Sequence, residues 1–112
     1  MNGYPEKTCT IDRLVTHARL VQKALGGEKT QQRRNGVYAY PGETFELEGV
    51  AFEVTRVEHV PLGAMTEEDA RAEGFDGLDA YRDLILRMHA GMAWNPEALV
   101  WVHEFKRAEG YR

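Results

Sequence analysis

Apolar residues recur at helical spacing near the start of the chain. Leu14, Ala18, Val21 and Leu25 share one face, with Ile11 and Val15 beside them. Asp12 is a suitable N-cap and the pair Gly26–Gly27 a left-handed exit, so the pattern predicts a helix over about residues 13–25. The period then shortens to two. In VYAYPGETFELEGVAFEVTRVEHV, Phe45 and Leu47, then Val50, Phe52 and Val54, alternate as half-buried strands do, with YPGE and EG as turns. Thr66 and Asp69 have capping-box spacing and open a short helix closed at Gly74. Asp76 is placed to cap another helix, with Leu78, Tyr81, Leu84, Ile85 and Met88 on its buried face and an end near Gly91. WNPE reads as a loop, and ALVWVHEFKR as a closing strand with an apolar middle.

The order is therefore helix, strands, paired helices, strand. Helices and strands do not alternate regularly, which argues against a doubly wound sheet. The expected class is α+β: a small, curled, mostly antiparallel sheet with helices packed around it. No repeat and no linker divides the chain, so residues 1–112 are read as one domain.

With 43% hydrophobic residues in 112, a single core can form without staples. The net charge of −4 excludes a sequence-blind duplex-coating protein, which would be strongly basic. The distribution is uneven. Arg13, Arg19, Lys23, Lys29, Arg33 and Arg34 face only Glu28 within residues 13–34, whereas residues 42–79 hold many acids against Arg56 and Arg71. Such zoning either presents a local positive site or neutralises itself across the fold. The lone Cys9 excludes an internal disulfide framework and a multi-cysteine zinc site, and is expected to be a reduced thiol. No apolar run approaches the ~20 residues needed to cross a bilayer. The opening MNGYPEKTCT lacks the basic start and apolar stretch of a secretory signal, so a cytoplasmic location and no membrane partner are expected.

His17, His59, His89 and His103 stand singly, without the convergent donors a metal needs. His103, in register with Leu99, Trp101 and Phe105, is expected to be a packed, hydrogen-bonded histidine. No nucleophile elbow, phosphate loop or dinucleotide fingerprint is present, so no cofactor and no metal are expected. Tyr38, Tyr40, Trp94 and Trp101 offer stacking faces for bases, although Trp101 belongs by pattern to the core.

The stretch GGEKTQQRR, Gly26–Arg34, is different in kind. Read as a loop, it leaves its donors free to converge. Lys29, crowded by Arg33 and Arg34, would have a lowered pKa that favours its basic form. Arg34 could grip a phosphate or a carbonyl with its planar fork. Gln31 and Gln32 can donate and accept, which suits the edge of a base. A solvated connector is the competing reading, and these residues alone do not choose.

At these residues the chain resembles the ASCH domain family of the PUA-like superfamily, whose pattern Gly-x-Lys-x-x-x-x-Arg follows the first helix. Here it runs from Gly27 through Lys29 to Arg34. YPGETFELEGVAFEVTRVEHVPL, MTEEDARAEGF and WVHEFKR resemble further family segments in the same order, so the likeness covers about residues 11–107 and leaves 1–10 as an N-terminal extension. The resemblance implies a PUA-like β-barrel (pseudobarrel) with a cleft for RNA or a modified nucleoside, bound by Lys29, Thr30, Gln32, Arg33 and Arg34. One branch of the family removes the acetyl group of N(4)-acetylcytidine. In that branch a lysine acts as base, a threonine three residues later as nucleophile, and a glutamate in the acidic helix assists. Lys29 and Glu73 match the lysine and the glutamate, while Gln32 stands at the threonine position, where an amide cannot attack a carbonyl. The resulting expectation is an RNA- or nucleoside-binding protein, favoured as a monomer, with Lys29 and Arg34 on anionic or carbonyl groups and Gln32 on the base edge. An amidohydrolase using Lys29 and Glu73, and a protein-interaction module, are the alternatives.

Overall fold

The computed structural model describes residues 4–88 and 94–108, with Met88 described by its backbone alone. The expected helix end near Gly91 and His89 lie outside the described residues. In chain order the elements are α1 (Ala18–Leu25), β1 (Gln31–Arg34), β2 (Thr44–Leu47), β3 (Val50–Pro61), α2 (Glu67–Ala72), α3 (Leu78–Met88) and β4 (Leu99–Arg107), with short 3-10 turns at Ile11–Arg13 and Leu62–Ala64. The strands form one sheet in the order β1-β4-β3-β2, and each neighbouring pair is antiparallel. The last strand in sequence thus lies inside the sheet, and β1 and β2 are its edges. The register between β3 and β4 slips between Val54 and Arg56, a bulge that adds twist to the long strand and helps the sheet curl. The class is α+β, a half-barrel with helices around it, as the sequence pattern predicts.

Turn chemistry fixes the β2–β3 hairpin. Glu48 and Gly49 both have positive φ, 51° and 84°, in the two-residue link between the paired Leu47 and Val50, which is the type I′ geometry whose twist matches the strands. Its inner face is aromatic. Phe45, Phe52 and Phe105 lie with ring centroids 5.5–5.8 Å apart, two of the three contacts edge-on. Leu14, Val15, Val21, Ala24, Val54 and Val57 close around them as the main core. A second, smaller cluster of Leu62, Met65, Ala70 and Tyr81 joins α2 and α3, with Phe75, Ile85 and Trp94 partly buried against it. Trp101 is at the margin of the main core instead of inside it, stacked on His59 at 4.2 Å.

Three local expectations are corrected. The first helix begins at Ala18, not near residue 13, because Arg34 takes the carbonyls a continuous helix would use. Its guanidinium donates to Leu14 O at 2.8 and 3.2 Å and to Arg13 O at 3.1 Å. Asp12 therefore lies in a 3-10 turn, and the N-cap of α1 is His17, whose Nδ1 accepts from Arg19 N at 3.3 Å. At α3 the carboxylate on the first N–H comes from Glu67, 3.1 Å from Leu78 N, and not from Asp76. Finally, Gln31–Arg34 is a strand and not an uncommitted loop, since it ladders with Trp101–Glu104.

Candidate functional site

Two helix ends position the site. Gly27, with φ 86°, lets its own N–H reach Ala24 O and that of Glu28 reach Lys23 O, and Gly74, with φ 104°, does the same for α2 through Arg71 O and Ala70 O. Both are Schellman endings, which need a residue free to adopt the left-handed conformation. The first turns the chain from α1 into β1. The second fixes Glu73, the C-cap of α2, beside β1.

An edge strand must satisfy the backbone groups that face away from the sheet. Here side chains do so. Lys29 Nζ donates to Gln31 O and to Glu73 O, both at 2.7 Å. Gln32 Nε2 donates to Arg33 O at 3.2 Å, and Arg33 N donates to Glu73 Oε1 at 3.4 Å. Thr30 N reaches Ala72 O at 2.7 Å, so both the backbone and Lys29 occupy the C-terminal carbonyls of α2, where a cation is favoured by the helix dipole. Arg33 completes the cluster, donating to Glu73 Oε2 at 2.9 Å and to Gln31 Oε1. Lys29 and Glu73 are each 1% exposed, with Nζ 3.7 Å from Oε1. Burial is the main cause that pulls the Lys29 ammonium down to a pKa of about 8; Glu73 opposes the shift and Arg34 and Arg33 add to it. Arginine crowding, the cause expected from sequence, is therefore secondary.

A cavity of about 430 Å³ lies around this edge. Thr16, His17 and Leu20 border it from α1 and the turn before it, and Gln32, Arg33 and Arg34 from β1. Tyr38, Glu73, Phe75, Tyr81, Leu84, Ile85 and Val100 also line it. Lys29 and Thr30 are not among the lining residues: Lys29 sits behind the wall, and Thr30 is exposed elsewhere. The Arg34 guanidinium lies 5.2 Å from the Tyr38 ring centroid. Buried side-chain atoms without a hydrogen-bond partner include Gln32 Oε1 and Arg33 Nε, both on residues of this wall. His103 is fully buried. Its Nε2 accepts from Tyr38 N at 3.0 Å while Nδ1 faces Gln32 O at 3.3 Å, so the neutral ring with its proton on Nδ1 satisfies both, and burial lowers its pKa.

The structure thus gathers Gln32, Arg33, Arg34 and Glu73 at one cavity and places Lys29 directly behind them. The basic and acidic zones of the sequence meet here. Lys29 and Arg33 pair with Glu73, and Arg33 also lies 3.8 Å from Asp69, so these two cations of the basic zone are neutralised by the acidic one within the fold. Phe75 and Tyr81 are wall residues that sequence patterning assigned no site role. The helical period places Tyr81, Leu84 and Ile85 on one face but does not say that the face meets β1. Among the described residues no cluster of His, Cys, Asp and Glu is placed to hold a metal ion, and no helix is long and apolar enough to cross a membrane.

No protein-family model matches the sequence, and no curated protein matches it. Solved structures do match in fold. The chain is similar to the ASCH domain from Lactobacillus crispatus JV V101, with a TM-score of 0.59 and 19% identity over 79% of this chain and 69% of that one. It is also similar to a protein from Enterococcus faecalis V583 assigned to the family DUF984, with a TM-score of 0.55 and 19% identity over 80% of this chain and 67% of the other. The chain therefore shares the fold of an ASCH domain structure, and the cavity described above is a feature of this chain on that fold.

Proposed function

We propose that the protein binds a nucleotide-containing ligand, RNA or a modified nucleoside, in the cavity at the β1 edge. The observation that carries the reading is the composition of the wall. One cavity of about 430 Å³ combines aromatic and aliphatic faces (Tyr38, Phe75, Tyr81, Leu84, Ile85) with polar groups of Gln32 and Arg34. Concave sites of a few hundred Å³ with a mostly apolar lining and a few polar groups suit a planar, hydrogen-bonding ring system. The test is titration of the protein with the four ribonucleosides and with labelled single-stranded RNA at several salt concentrations. Saturable binding that is lost in Ile85→Trp, which fills the cavity from α3, is expected. Absence of binding to every probe would overturn the reading.

The buried Lys29–Glu73 pair supports a second reading, hydrolysis of the acetyl amide of acetylcytidine. A lysine with a pKa of about 8 is partly neutral near physiological pH and can accept a proton. The same lysine is 1% exposed, and both its short hydrogen bonds go to backbone carbonyls. Thr30 is exposed and outside the cavity wall, and Gln32 offers no nucleophile, so water would have to attack. Binding is therefore the better supported of the two. Cytidine released from acetylcytidine by the native protein but not by Lys29→Met would reverse that order.

A further inference from the structure

The cations around the cavity are already occupied. Arg34 spends Nε and Nη2 on the carbonyls of Arg13 and Leu14. Lys29 is bound to two carbonyls, and Arg33 to Glu73 and Gln31. A ligand phosphate would find few free donors here, and would meet the Glu73 carboxylate on the same wall. Among the described residues Gln32 Oε1 and Arg33 Nε lack a partner but are fully enclosed, whereas the Tyr81 hydroxyl is both unpartnered and reachable. Tyr81 projects from α3, is 5% exposed and borders the cavity. Its ring is held edge-on against Phe75 at 5.1 Å and against Trp94 at 6.3 Å. Among the described residues nothing hydrogen-bonds its hydroxyl, and that oxygen is not one of the fully enclosed side-chain atoms without a partner, so it retains access to solvent space. Buried tyrosines normally find a partner for this group.

Resting on the binding role proposed above, we infer that the Tyr81 hydroxyl is a ligand-recognition group that donates to an uncharged acceptor, a base carbonyl or ring nitrogen, and that the site reads the base and not the phosphate. Burial and the neighbouring Glu73 carboxylate raise the Tyr81 pKa, which keeps the phenol a donor and makes its surroundings unfavourable for an anion. The two packed rings fix the direction of the hydroxyl, so little freedom is lost when a ligand arrives.

The test uses the full chain and the four ribonucleosides with their 5′-monophosphates, by calorimetry at two salt concentrations. Tyr81→Phe removes only the hydroxyl and keeps the packing. It should weaken the best-bound nucleoside by about tenfold, as expected when a ligand acceptor loses its donor, with the thermal midpoint unchanged or raised. The monophosphate should bind within about threefold of its nucleoside and with little salt dependence, since no counterion is displaced by phosphate contacts. Unchanged affinity in Tyr81→Phe overturns the inference while leaving the binding role intact. A monophosphate that binds far tighter at low salt overturns the preference for an uncharged group. If no nucleoside binds, the proposed function itself fails and the inference with it.

Discussion

The two edges of the sheet are built from opposite materials. β2, with the sequence TFEL, buries Phe45 and Leu47 and leaves Thr44 and Glu46 outside. It is held by the type I′ hairpin and by aromatic contacts. β1, with the sequence QQRR, has no apolar side chain, and its outward backbone groups are closed by Lys29, Gln32 and Glu73. Apolar burial is non-directional and tolerant. A buried polar edge depends on its charged partners, because removing one leaves the other charge uncompensated in the interior. The cavity lies at the polar edge.

The largest expected effect tests this dependence on partners. Glu73→Ala leaves Lys29 buried without its counter-charge and Arg33 with only the more distant Asp69, and should cost about 3–5 kcal/mol of stability in urea unfolding. At the aromatic edge, Phe105→Ala should cost about as much, 3–5 kcal/mol, through lost burial and a cavity. The two losses differ in kind. Raising the pH from 7 to 9 should recover part of the first by allowing Lys29 to lose its proton, and should leave the second unchanged. Equal pH responses would show that the β1 cluster is not electrostatic in origin.

The same contrast explains what could be read in advance. Alternation at Phe45/Leu47 and Val50/Phe52/Val54, the EG turn, the Thr66–Asp69 capping box and the glycines that end α1 and α2 are local signals, and each marks the element found. The likeness around Lys29 and Arg34 pointed to a hollow shared with Glu73; Lys29 pairs with Glu73 behind the cavity wall, while Arg34 borders the cavity with its guanidinium on Leu14 O and Arg13 O. The strand in QQRR was hidden because its partners, β4 and the end of α2, are remote in sequence and polar edges have no hydrophobic period. The late start of α1 was hidden for a related reason. Leu14 and Val15 are buried as the helical pattern implies, but Arg34, 20 residues on from Leu14, withdraws the carbonyls that would have extended the helix.

A smaller effect sharpens the role of the turn that places Glu73. At Gly74 φ is 104°, and an added Cβ would lie 3.0 Å from Leu20 Cδ2 and 3.6 Å from Lys29 Cβ. Gly74→Ala should therefore cost about 1–3 kcal/mol, the range for a side chain forced into such a conformation. Gly27 has open space where its Cβ would be, so Gly27→Ala carries the conformational cost without the clash and should be the milder of the pair. A reversed order would mean that the ending of α1, not that of α2, sets the geometry of β1.

The smallest effect is the pH profile of the native protein, and its sign follows from the two shifted groups. Lys29 has a folded pKa of about 8, below its unfolded value of 10.5, so between those values the unfolded chain binds more protons and stability rises with pH. The gain from pH 8 to 10 should be about 1–2 kcal/mol, taking ~1.4 kcal/mol per pKa unit and discounting for relaxation of the cluster. Tyr81 acts in the opposite sense. Its pKa is raised, so above pH 10 the unfolded phenol ionises while the folded one does not, and stability falls. Denaturant midpoints measured across pH 7–11 should thus pass through a maximum near pH 10. Lys29→Met should flatten the rise and Tyr81→Phe should remove the fall, each without moving the other limb. If Phe105→Ala alters this profile as much as Lys29→Met does, the two edges are coupled and the polar edge does not titrate as an independent unit.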